Sequence, residues 1–254
     1  MPVTIKSEAR AQGPVVWLTL DNQARLNAVG TEMMVALREA ALDLAADDTL
    51  RAVVITGAGD RAFSGGADIH ELNVTTADTA SAFITSLHET NTAIRDIPVP
   101  VIARVNGYCL GGALEIAASC DLRVAAESAK FGMPEVRVGL PSVIEAALLP
   151  RLVGWGKAME LVLTGDMITA QTAESLGLVQ RVVAADALDD AVEQWLTSIL
   201  ASGPLAVRTQ KALCREWESL PLDQAIRRGI DYFADAYGTD EPARLLAPYL
   251  RPKN

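Results

Sequence analysis

Apolar residues fall along the chain in two rhythms that alternate for its first three quarters. Val15 to Leu20 (VVWLTL) is a run rich in β-branched and aromatic residues, closed by Asp21-Asn22, and predicts a strand. From Thr31, a candidate N-cap, Met33, Met34, Leu37, Ala41 and Leu44 recur at helical spacing and share one face. Ala52 to Thr56 (AVVIT) is apolar at nearly every position, as a strand buried on both faces would be, and Gly57-Ala58-Gly59-Asp60 ends it. A helix is predicted from about Thr79 to Arg95. A second buried strand follows at Pro98 to Val105, then a helix from Ala113 to about Cys120 and a short strand at Leu122 to Ala125. Further helices are predicted at Ser142–Leu152, Gly156–Leu163 and Ala170–Ser175, and a strand at Leu178–Val183. After Asp186 the pattern is helical to nearly the end, with breaks at Gly203-Pro204, Pro221 and Gly238. Alternation of strand and helix to about residue 185 is an α/β pattern. The helical remainder reads as an appended module, which divides the chain into a core of 1–195 and a helical region of 196–254.

Composition narrows this picture. A chain of 254 residues buries enough surface to need no disulfide or metal staple. Its formal charge of −10 disfavours general binding to nucleic acid, because phosphate backbones are repelled. Three widely spaced cysteines (Cys109, Cys120, Cys214) and two histidines (His70, His88) offer neither a disulfide framework nor the ligand spacing of a zinc site. No stretch has the apolar core of a leader or the length of a membrane span, so a cytoplasmic location and no membrane partner are expected.

Three segments carry candidate chemistry. Phe63-Ser64-Gly65-Gly66-Ala67-Asp68 follows an apolar strand and precedes Ile69; adjacent glycines let backbone N–H groups approach a ligand, although taken alone the segment reads better as a plain tight turn, since Gly-Gly turns are common. Asn106 to Glu115 (NGYCLGGALE) puts Gly111-Gly112 where a helix begins, and helix N-termini offer unpaired N–H groups and positive dipole character. Glu115 falls three residues after Gly112, on the same helix face and among apolar neighbours, where an acid needs a partner or a task. A glycine-packed helix with a surface glutamate is the plainer alternative. Phe131-Gly132-Met133-Pro134-Glu135 ends in a second acid, which by itself reads as an ordinary loop glutamate.

Taken in order, these segments resemble the crotonase (enoyl-CoA hydratase/isomerase) superfamily, whose members show F-[SA]-[AG]-G-[AG]-D, N-G-x-x-x-G-G-x-x-E and F-x-x-P-E motifs. Leu26-Asn27-Ala28 matches a further signature and Arg208–Leu213 (RTQKAL) resembles the start of the family's C-terminal helices, so the likeness spans nearly the whole chain. The resemblance implies a crotonase-like spiral of ββα units with a C-terminal helical region, assembled as a homotrimer or as a hexamer of two trimers. It implies an acyl-CoA substrate, coenzyme A being part of the thioester, with no tightly bound cofactor and no metal. By motif position it assigns the oxyanion hole to the N–H groups of Gly65 and Gly112 and the acid–base pair to Glu115 and Glu135. The loop of Gly65, Gly66, Ala67, Asp68 and Ile69, together with Gly112, is expected to line the coenzyme A site. Arg25 and Lys211 are candidates for its phosphates, although solvated surface charges would look the same. Retention of both acids favours hydration of a 2-enoyl-CoA over isomerisation or thioester hydrolysis, or over a non-catalytic binding role on this fold. One stretch departs from the family: the glycine-rich segment expected after the second glutamate is replaced by Gly139-Leu140-Pro141-Ser142-Val143-Ile144-Glu145. Glu145 reads either as a helix-surface residue or as a group that orients a polar acyl chain.

Overall fold

The computed structural model describes residues 1–250. A six-stranded sheet contains β1 (Val3–Glu8), β2 (Val15–Leu20), β3 (Ala52–Gly57), β5 (Val101–Val105), β7 (Leu122–Ala126) and β10 (Arg181–Val183), in that order. Only the β1–β2 pair is antiparallel. A smaller sheet is built from β4 (Ala62–Ser64), β6 (Tyr108–Leu110), β8 (Lys130–Gly132) and β9 (Met167–Thr169), with β9 antiparallel. The chain winds as a spiral. In three successive turns, β3–β4, β5–β6 and β7–β8, the first strand joins the large sheet and the second joins the small one.

The apolar runs have a direct structural cause. Along β3, Val53 and Ile55 enter a main core with α1 (Thr31–Ala45), α3 (Ala77–Asp96) and α4 (Gly112–Ser119), while Ala52 and Val54 face the opposite side. There α8 (Leu188–Ala201) covers the sheet with Leu188, Ala191, Val192, Leu196 and Leu200, spaced along one helical face. Both faces of the strand are buried, so the two-residue alternation vanishes from the sequence. The boundary expected at 195/196 falls inside α8, and α9 (Pro204–Trp217) still reaches the core through its buried Lys211 and Leu213.

The remaining helices are α2 (Ile69–Val74), α5 (Leu149–Val153), α6 (Trp155–Thr164), α7 (Ala170–Ser175), α10 (Leu222–Ala236) and α11 (Glu241–Leu246). The helix expected over Ser142–Leu152 is instead a 3-10 turn at Ile144–Leu148 followed by α5. One continuous helix would bury Pro150 in its interior, where proline lacks the N–H and collides with the preceding turn; as formed, Pro150 sits in the first turn of α5. The strand expected over Leu178–Val183 pairs only at Arg181–Val183, and that over Pro98–Val105 only from Val101. No helix among the described residues is long and apolar enough to cross a membrane.

Candidate active site

The spiral brings three chain turns to one place: the segment after β4, the β6–α4 junction, and the segment after β8. At β6–α4, Gly111 has φ +54° and ψ −127°, a conformation that side-chain-bearing residues rarely adopt, and it starts α4 without a side-chain cap. The N–H of Gly112 therefore opens α4 with no acceptor among the described residues, at the positive end of the helix.

Two carboxyls close on this glycine pair. A Cβ built on Gly111 would lie 2.3 Å from Glu135 Oε1, and one on Gly112 would lie 3.9 Å from Glu115 Oε2. Glu115 is only 4% exposed, and its Oε1 accepts from the Ala146 N–H at 3.0 Å. Glu135 follows Pro134 in a 3-10 turn, is half-buried, and its Oε2 accepts from the Ser142 hydroxyl at 2.7 Å. Each acid thus has one oxygen held by a neighbour. Burial pushes the Glu115 carboxyl up to about 8; the Ala146 N–H opposes the rise, and the charges of Glu135 and Glu145 add to it.

The raised carboxyl has a consequence for stability. The folded protein holds the Glu115 proton more tightly than the unfolded chain, so the stabilisation is fully present below about pH 4.5 and is lost as pH rises to about 8. Its size is roughly a few kcal/mol, because each tenfold gain in proton affinity is worth about 1.4 kcal/mol. Melting temperatures from pH 5 to about 9 should therefore fall less steeply for Glu115→Gln than for the native chain; parallel curves would refute the buried, proton-retaining carboxyl.

The segment after β4 requires a correction. The Gly65 N–H is not free, because it donates to the Leu26 carbonyl at 2.7 Å, and the Gly66 N–H donates to Ser64 Oγ at 3.1 Å. The unspent donor is that of Ala67, which bonds no acceptor among the described residues and lies 3.9 Å from a Cβ built on Gly112. Among the described residues, the N–H groups of Ala67 and Gly112 are both open where the two loops meet. Gly66, at φ +99°, packs its Cα against the Leu110 carbonyl, which locks the two loops together.

Asp68 caps α2 by accepting from the His70 N–H at 2.8 Å and pairs with Arg25 at 2.8 Å. Burial alone would raise its carboxyl, but Arg25 and the His70 N–H outweigh burial and hold it below the ordinary aspartate range. Its N–H is spent on the Val29 carbonyl, so Asp68 builds the loop and offers a ligand nothing directly. Arg25 stays half-exposed beside that loop, and Ile69 is exposed at the start of α2. Lys211 does not reach the site: it is buried, with Nζ on the Val99 carbonyl at 2.9 Å and Asp121 at 2.7 Å, where it ties α9 to the large sheet. Its ammonium is therefore not available as a phosphate contact.

The Leu26-Asn27-Ala28 signature is structural. Leu26 and Asn27 both have positive φ; the Asn27 side chain donates to the Ala58 and Ala62 carbonyls and accepts from the Asn22 N–H. Asn106 holds the same loop through the Gly57 and Gly59 carbonyls. Glu145, far from being a surface residue, is 7% exposed and faces α3, its oxygens 2.7 Å from His88 Nδ1 and 2.9 Å from Asn91 Nδ2. A sequence signal existed for this pair: His88 and Asn91 are polar at i, i+3 beside the apolar Leu87 and Ile94. No group of three or more His, Cys, Asp or Glu side chains among the described residues could hold a metal.

Known proteins resemble this chain over most of its length. A family profile described as enoyl-CoA hydratase/isomerase matches residues 10–245. The chain is 35% identical over 237 residues to a crotonyl-CoA hydratase of Syntrophomonas wolfei, covering 93% of this chain and 91% of that one. It is 30% identical over 243 residues to a short-chain-enoyl-CoA hydratase of Clostridium acetobutylicum, covering 95% and 93% respectively. The crystal structure of an enoyl-CoA hydratase from Bacillus anthracis superposes with a TM-score of 0.93 at 28% identity, covering 98% of this chain and 96% of that one.

Proposed function

The chain belongs to the enoyl-CoA hydratase/isomerase family, and from that premise we propose that it is an enoyl-CoA hydratase that adds water across the 2,3 double bond of a 2-enoyl-CoA thioester. The observation that carries this reading is the convergence of two carboxyls, Glu115 and Glu135, on one Gly-Gly helix start. Hydration needs two proton movements on one face of the alkene, and two acids sharing one proton supply both. The water oxygen bonds to C3 as a carboxylate takes its proton; the partner carboxyl gives its proton to C2. The pair keeps its total charge and exchanges which member is protonated. Dehydration runs the same steps backwards.

Attack at C3 pushes electrons onto the thioester oxygen. The N–H groups of Ala67 and Gly112 are unspent and preorganised, and they would receive that charge; one such donor is worth roughly 3–4 kcal/mol. Burial of Glu115 keeps a proton on the pair near neutrality, which suits an acid–base couple. Gly65 and Gly66 would shape the loop along the pantetheine, with the free edge of Arg25 toward the phosphates of coenzyme A.

Self-association belongs to the same proposal. Leu222, Ile226, Ile230, Phe233 and Tyr237 form an exposed apolar stripe along α10, all more than 60% exposed. Such a stripe seeks cover, and a homotrimer or a pair of trimers would provide it. Sedimentation of the purified chain tests this, and a monomer at micromolar concentration would overturn it.

The functional test is direct. With crotonyl-CoA the enone-thioester absorbance should fall rapidly, and 3-hydroxybutyryl-CoA should appear in equal amount. Conversion of a 3-enoyl-CoA to the 2-enoyl isomer, with no hydration of crotonyl-CoA, would instead make the chain an isomerase.

A further inference from the structure

The third carboxyl, Glu145, lies outside the mechanism given above, yet it is joined to it through one peptide unit. Ile144, immediately before it, has φ +43°, a left-handed conformation in which a β-branched residue is an outlier. Ala146, immediately after it, donates its N–H to Glu115 Oε1 at 3.0 Å. Between them the Glu145 side chain is buried and both of its oxygens are taken by α3, one by His88 and one by Asn91. A strained turn persists only when its surroundings over-determine it; here the Val143 carbonyl, which shares the Ala146 N–H at 3.0 Å, closes the turn from within, and the two α3 contacts hold it from outside.

We infer that Glu145 is a positioning residue: its clamp on His88 and Asn91 holds the Ile144–Ala146 turn so that the Ala146 N–H pins one oxygen of Glu115 and leaves the other facing the Gly111-Gly112 start of α4. The inference rests on Glu115 being an acid–base group of the proposed hydration. An unpinned carboxyl buried among apolar side chains of α4 would rotate between positions, and only one of them points Oε2 at the helix start. The charged and titratable groups around Glu115 are Glu135, from the turn after β8, and Glu145 itself, backed by His88 of α3.

Two variants separate this role from a general need for stability. Glu145→Leu keeps the bulk and removes both contacts. Glu145→Gln keeps one acceptor for Asn91, and its amide can donate to His88 Nδ1 once the imidazole carries its proton on Nε2. In the intact protein with crotonyl-CoA, Glu145→Leu should lower kcat by about tenfold or more with KM within about twofold, and Glu145→Gln should restore kcat to within about threefold of the native enzyme. The rotation of a catalytic group from its working position is an effect of that scale. A readout independent of turnover is the infrared band of the protonated Glu115 carboxyl, identified by its loss in Glu115→Gln. It should move to the frequency of an unbonded carboxyl in Glu145→Leu and stay in place in Glu145→Gln. If the native chain fails to hydrate crotonyl-CoA, the hydratase reading fails, while the band still decides whether Glu145 positions Glu115. A folded Glu145→Leu with native kcat and an unmoved band would overturn the inference, as would Glu145→Gln failing as badly as Glu145→Leu.

Discussion

Replacing either Glu115 or Glu135 by Gln is expected to slow hydration of crotonyl-CoA by about 10²-fold or more, the scale for loss of one acid–base group. The amide preserves shape, so KM should move little and the loss should appear in kcat. The two acids share a single proton circuit, so the double variant should be scarcely slower than either single one, because groups acting as a unit are not additive. Glu115→Gln should also remain folded, and above pH 8 it should melt higher than the native chain, since it no longer buries a carboxylate. Stopped-flow loss of the enone absorbance, with melts at the same pH, checks both. If Glu135→Gln keeps native kcat while Glu115→Gln does not, one acid suffices, and the two-carboxylate mechanism falls.

The second large effect is expected from a single methyl group. Gly111→Ala places a Cβ 2.3 Å from Glu135 Oε1 and asks alanine to hold φ +54° with ψ −127°. The backbone strain costs about 1–3 kcal/mol. The carboxylate must also retreat, and a misplacement of about 1 Å in a reacting group can cost about 10²-fold. Gly111→Ala should therefore lose both stability and kcat, whereas Gly156→Ala, on open surface at the start of α6, should lose neither. A Gly111→Ala enzyme with native kcat would mean that Glu135 has no fixed place at the helix start.

Much of this was legible in the residues, and the failures have specific causes. The long elements were readable because α1 carries a clear helical period and β3 is too apolar to be anything but buried on both faces. The short strands β4, β6, β8 and β9 were not, since three residues hold no period. Glu115 and Glu135 were readable as a pair by motif, and the structure brings them to one Gly-Gly turn. The motif points to the Gly65 N–H as a donor, but a motif names residues, whereas availability depends on which N–H is already bonded; only the Leu26 carbonyl reveals that. Lys211 failed for a related reason, since nothing local to α9 shows that Asp121, ninety residues earlier, holds its ammonium. Glu145 looked like surface because its partners lie on α3, 54 and 57 positions away.

The winding of the chain also governs when the enzyme comes into being. The segments after β4, β6 and β8 come from three successive turns, and their parallel strands pair only across long stretches of sequence. Contacts of that kind form slowly, because loop closure precedes any gain from pairing. Helix content can return early in refolding, since α1 and α3 are local structures. The helix-start donor, the second carboxyl and the loop bearing the other donor meet only when the third turn closes. Catalysis is thus a late signal of folding, and a partly wound chain, however helical, is silent.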